Sequence, residues 1–213
     1  MRARGSEAGR RATLLAVGAL LLWPAVPTSG PAAPAVRAQA GEPSEAVASP
    51  PRTSTVLEEA DDLYFAGRAE AALGTLTDLL ERRPEHYGAL WRSARAAVAH
   101  GLLQERTAEQ NAWYRKGAGF GRRATEVRPR GLGGHYWLAA SAGLHAIQAP
   151  SAGMIVDLAE EVHREARLVL RREPDHAGAH HVLGQLHFEI MELSAVERWI
   201  GRWILGSDVL SRA

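Results

Sequence analysis

The chain of 213 residues contains no cysteine. That excludes disulfides, cysteine-ligated zinc, iron–sulfur clusters and a lipid-modified N-terminal cysteine. Aromatic residues make up only 6% of the chain, and β-branched residues are sparse. A sequence this poor in strand formers, and dominated by Ala, Leu, Arg and Gly, is expected to be all-α. Charge of one sign is lacking too: 25 Lys and Arg against 24 Asp and Glu leave a net +1. Without a broad basic excess, nucleic acid is not an expected partner.

What is present begins with an ordered N-terminus. MRARGSEAGRR carries four arginines and one Glu, and the apolar run ATLLAVGALLLW follows it. Twelve residues fall short of the ~20 that span a bilayer. A Pro/Ala stretch then ends in Ala38-Gln39-Ala40, a small-x-small pattern. This is the order of a secretory signal peptide, so residues 1–40 are expected to be removed and the protein to be periplasmic or secreted. Removal takes away five Arg and one Glu, moving the formal charge from +1 to −3. An uncleaved segment would be the one route to a membrane. Residues 41–54 (GEPSEAVASPPRTS) are rich in Pro, Ser and Glu without periodicity, and are expected to form a flexible linker.

A helical domain is expected over 55–213. Pro84, Pro129 and Pro174 stand forty-five residues apart (129 − 84 = 174 − 129 = 45), each after a charged turn, and the residues after them align without gaps. The fourth residue after Pro is Gly88, Gly133 and Gly178. The seventh is Trp91, Tyr136 and His181, and the tenth is small: Ala94, Ala139 and Gly184. Proline ends a helix because it lacks an N–H and clashes with the preceding turn, and a recurring small residue lets a neighbouring helix come close. The expectation is a right-handed helical-hairpin solenoid of three full units and part of a fourth. Its helices are placed at 55–66, 69–82, 86–100, 106–127, 133–147, 151–172, 176–190 and 193–205 from apolar periodicity.

The first unit resembles a tetratricopeptide (TPR) repeat, with Ala60, Gly67, Ala72, Leu76, Leu79 and Pro84 where a thirty-four-residue unit starting near Thr53 has them. The run HHVLGQLHFEIMELSAVERWIGRWILG resembles the last conserved region of the regulator of microtubule dynamics family, through Leu183-Gly184, Leu193-Ser194, Glu197-Arg198 and Trp203 to Leu205. Exported bacterial relatives share those repeats, and a microtubule role would not carry over to an exported chain. HYWLAASAG is similar to the periplasmic TPR component of TRAP transporters. The TPR resemblance implies a concave face formed by the first helix of each hairpin. On it would lie Trp91, Arg95, Tyr136, His181, Gln185 and Glu189, as a surface for a protein or peptide.

Chemistry is thinner. Asp175 to Glu189 holds four of the nine histidines. On a helix, His176, His180 and His187 fall within about 40° of one another. His180 and His187 are nonetheless about 10 Å apart along the axis, too far for one zinc with Zn–N near ~2.0 Å. His176 and His180 could share a metal with help from Glu189 or His163. The Ala-Gly-Ala between them supplies no general base, so an HExxH arrangement is absent. His180 aligns with Leu90 and His135, a helix-packing slot. The Gly117–Gly121 run follows no strand, as a dinucleotide loop requires. Arg122 and Arg123 are expected on a solvated face, and Glu160, Glu161, Arg164, Glu165 and Arg167 as surface pairs.

The expected function is therefore a non-catalytic adaptor or scaffold without a cofactor. The alternatives are a small-ligand accessory of a transport system and a His-dependent metal enzyme. The C-terminal apolar face of Trp199, Ile200 and Trp203 could pack back on the third unit or mediate self-association.

Overall fold

The computed structural model describes residues 52–192. The expected signal peptide and most of the expected linker lie outside them, as do the helix expected at 193–205 and the residues Trp199, Ile200 and Trp203. The described chain is seven helices: α1 Thr53–Phe65, α2 Ala69–Arg82, α3 Tyr87–Leu102, α4 Thr107–Val127, α5 Leu132–Ile147, α6 Ala152–Arg172 and α7 Ala177–Glu192. Every boundary is within two residues of its expectation. Among the described residues there is no strand, and no helix is long and apolar enough to cross a membrane.

The recurring prolines make one turn three times. The residue before each is Arg83, Arg128 or Glu173, with φ of −140°, −137° and −128° and ψ of 76°, 84° and 82°. The proline ring bars these residues from continuing the helix. Four residues then reverse the chain, and the last returns its N–H to the carbonyl of the first. The three bonds are His86 to Arg83 at 3.0 Å, Gly131 to Arg128 at 2.9 Å and His176 to Glu173 at 3.1 Å. Proline occupies the second position of each turn, where its fixed φ is already correct. The bend inside the first hairpin uses another device. Gly67 has φ 76°, the Arg68 N–H bonds the Leu63 carbonyl, and the Gly67 N–H bonds that of Tyr64. This pair of bonds closes a helix end around a left-handed residue, which glycine adopts without strain.

Helices α1–α2, α3–α4 and α5–α6 are antiparallel hairpins, and α7 begins a fourth. Each helix packs on its sequence neighbours, and the first helices also touch one another: α1 on α3, α3 on α5, α5 on α7. The second helices barely meet. The array is thus a helical solenoid whose inner layer is α1, α3, α5 and α7. Its core runs continuously through the hairpins, from Ala60, Leu76 and Leu90 to Leu138, Val162 and Val169, all within 2% of full burial.

Glycine sets the tightest helix approach. A Cβ on Gly121 of α4 would lie 2.7 Å from the Leu138 Cα, and one on Gly117 would lie 2.9 Å from the Ser141 Oγ. The glycine-rich run that follows no strand is therefore the face on which α4 meets α5. Gly119, on the other side of α4, has open space.

Candidate functional site

The seventh-position side chains form a ladder, and each rung has a structural job. Leu57 of α1 reaches Gly88 of α3, Trp91 of α3 lies over Gly133 of α5, and Tyr136 of α5 lies over Gly178 of α7. A Cβ at those three glycines would meet these side chains at 3.2, 3.1 and 2.5 Å. The invariant fourth-position glycine of each unit is thus the seat for the seventh-position group of the unit before. Trp91 and Tyr136 are half-buried, and burial pushes the Tyr136 phenol up to about 12, with the nearby Tyr64 adding to it. His181 occupies the same rung on α7, and its Nε2 is closed off from solvent without a hydrogen-bond partner.

The N-terminal end of the inner layer holds an arginine–aromatic cluster. Asp61 of α1 accepts Arg92 through both oxygens, with Nε at 2.9 and 3.0 Å and Nη2 at 2.8 Å, and it also accepts Arg95. The Arg95 guanidinium sits 3.9 Å over the Tyr64 ring, 5.3 Å from Trp91 and 5.5 Å from Phe65. Arg92 stacks on Trp91 at 4.3 Å. Burial opposes ionisation of Asp61, but the two arginines outweigh it and hold the carboxyl below its ordinary value. Arg95, expected to face a partner, is only 8% exposed, and its Nε has no hydrogen-bond partner. Phe65 is the open part of the cluster, at 57% exposure.

The other inward positions are divided. Gln185 and Glu189 of α7 are half-buried and bonded to each other at 2.8 Å. Between the two ends, Ala140 and Leu144 of α5 are buried. The structure therefore brings Trp91 and Arg95 into one cluster and places Tyr136, His181, Gln185 and Glu189 further along the layer. Two shallow depressions, beside Thr55–Arg68 and beside Arg83–His86, border none of them.

Several histidines make structural bonds that composition alone did not show. His86 and His176 each stand two residues after a loop proline and cap the next helix: Nδ1 accepts the Ala89 N–H and the Ala179 N–H, both at 3.1 Å. That spacing was visible in the sequence. The middle loop has Gly131 at the same place, and the Tyr87 hydroxyl accepts the Gly134 N–H at 3.1 Å instead. His176 and His180, the candidate metal pair, are both engaged. His176 caps α7, and His180 Nε2 bonds the Pro174 carbonyl at 2.6 Å. Among the described residues no group of three or more His, Asp and Glu is arranged to hold a metal.

Three expectations are corrected here. His180 is exposed, not in a packing slot, whereas its counterpart His135 is buried. Glu165 is not a surface residue: it is 7% exposed and bonds His135 Nδ1 at 2.5 Å and Arg164 Nε at 2.9 Å. Arg122 is more than a solvated cation: with its side chain 44% exposed, it is also a two-pronged partner of Glu161 at 2.8 and 2.6 Å, joining α4 to α6. His145 is also buried and used, with Nδ1 2.5 Å from the Asn111 Oδ1. Burial, then the field of Arg115, holds its pKa below the ordinary value.

Residues 56–210 match the model of the family described as regulator of microtubule dynamics protein 1-3. That span is most of the chain, and the chain belongs to this family. No curated protein matches it.

Proposed function

From membership of the regulator of microtubule dynamics family, we propose that the chain is a non-catalytic adaptor, built of degenerate TPR units and exported, which binds a protein partner on its inner helix layer. The carrying observation is the contrast between the two ends of the chemistry. Five histidines are spent on caps and on bonds within or between helices. The cluster of Asp61, Tyr64, Phe65, Trp91, Arg92 and Arg95 instead leaves an aromatic edge open beside stacked arginines. Aromatic and arginine side chains bury large area at low entropic cost and dominate binding hot spots. Because Arg92 and Arg95 are already oriented by Asp61, a partner would meet a preorganised surface.

The test is a photo-crosslinking amino acid placed at Phe65, with the same group at the exposed Arg167 of α6 as control, in the full chain expressed in its own cells. The expected result is one discrete adduct from position 65, lost on Arg92→Glu, and none from position 167. Equal labelling from both faces, or no adduct from position 65, would remove the inner layer as the binding surface. The export component is read separately, from the N-terminal residue of the mature protein, which is expected to be Gly41.

A further inference from the structure

We propose that the third hairpin carries a proton latch, in which His135 as an imidazolium ties α6 and the Pro129 loop to the start of α5. The argument rests on what the ring touches. His135 is 5% exposed. Its Nδ1 faces the Glu165 carboxylate at 2.5 Å and its Nε2 faces the Pro129 carbonyl at 2.9 Å. Both neighbours are acceptors. A neutral imidazole has one N–H and can satisfy one of them; the imidazolium has two and satisfies both. Losing the proton would leave a buried lone pair against an oxygen in one of the two contacts, which costs more than the missing bond alone.

The surroundings fit a latch rather than an inert pair. The charged groups that face His135 are Glu165 and Arg172 of α6, with Arg164 behind Glu165. From α4 the same turn of α5 meets Ala124 and Thr125, which carry no charge. From α3 it meets Tyr87, whose hydroxyl caps Gly134 and whose ring centre lies 4.9 Å from the Arg128 guanidinium. From α7 comes His176, against the ring of Tyr136, the residue next to His135. The carboxylate is therefore the dominant influence, and it lifts the His135 pKa above its ordinary value against the opposing effects of burial and Arg172. A pKa raised in the folded state contributes stability that is complete below the ordinary histidine value. It is lost as pH rises through the raised value. Alkaline conditions would thus release α6 and the Pro129 loop from the turn that carries Tyr136, loosening the middle of the inner layer while the other units stay closed.

The full chain with ¹⁵N-labelled histidine tests this by NMR. One histidine should keep the two-proton imidazolium pattern to a pH above the ordinary histidine value, and that signal should vanish in His135→Gln. Amide exchange over residues 132–138 and 160–169, corrected for intrinsic rates, should accelerate by up to about tenfold per pH unit between the ordinary and the raised histidine values. Glu165→Gln should flatten that dependence, and it serves alone if His135→Gln does not fold. A His135 ring that loses its second proton at or below the ordinary histidine value, or exchange in these segments that ignores pH in the wild-type chain, would overturn the proposal.

Discussion

At the scale of single residues, the five-residue run from Gly117 to Gly121 holds two kinds of glycine. Gly121 is required by contact, because a methyl group there would press on the Leu138 backbone at 2.7 Å. Backbone cannot rotate aside as a side chain can, so α4 would have to move off α5. Gly121→Ala should therefore destabilise the protein by about 1–3 kcal/mol, the usual cost of overpacking. Gly119 lies on the same helix with nothing within reach of a Cβ. There the helix propensity of alanine acts unopposed, and Gly119→Ala should stabilise by up to about 1 kcal/mol. Urea denaturation of both variants checks the pair, which must move in opposite directions from the same chemical change. The sequence marked this run as glycine-rich and correctly unlike a phosphate loop. It did not distinguish the contacting glycines from the free one, because helical periodicity says which residues share a face but not which helix arrives there.

At the scale of elements, the repeated loop was legible because its signal is local. A proline fixes its own φ and restricts the residue before it, so equal spacing translated directly into equal turns. The capping pattern is local as well, and it differs between units in a way that can be measured. His86→Ala removes the α3 cap and Tyr87→Phe removes that of α5; each should cost about 1 kcal/mol. Only the first cost should depend on pH. His86 accepts through Nδ1 and so needs that nitrogen unprotonated, and burial, with Arg83 and Arg92 nearby, depresses its pKa. A depressed folded-state value contributes stability above the ordinary histidine value and loses it as pH falls through the folded one. The difference in melting temperature between wild type and His86→Ala should thus shrink on acidification below the ordinary histidine value. That for Tyr87→Phe should stay level over the same range. A His86 difference independent of pH would mean the cap is not what the ring contributes.

At the scale of the whole molecule, what stayed hidden in the sequence is the pairing of charges between helices. His135 meets Glu165 thirty residues on, Arg122 meets Glu161 thirty-nine on, and Asp61 meets Arg92 thirty-one on. Each separation is set by how one helix slides and rotates against another, and no single-helix pattern carries that information. The same pairings decide how stress spreads. In a stack where each unit touches its neighbours, stability is a sum of unit and interface terms rather than one cooperative block. Asp61→Ala tests this. It strips the carboxylate from Arg92 and from the nearly buried Arg95, leaving a cation with poor access to water. A fully buried unpaired charge costs 3–5 kcal/mol; with Asp61 about a quarter exposed, solvent screening brings the expectation to about 2 kcal/mol. The loss should be confined. Hydrogen exchange should quicken in α1 and α2 and in the Arg92 turn of α3, while α5, α6 and α7 keep wild-type protection, since α1 has no substantial contact beyond α3. Loss of protection that reached α6 would show a single cooperative body, and the inner layer would then have to be treated as one surface instead of a row of separable seats.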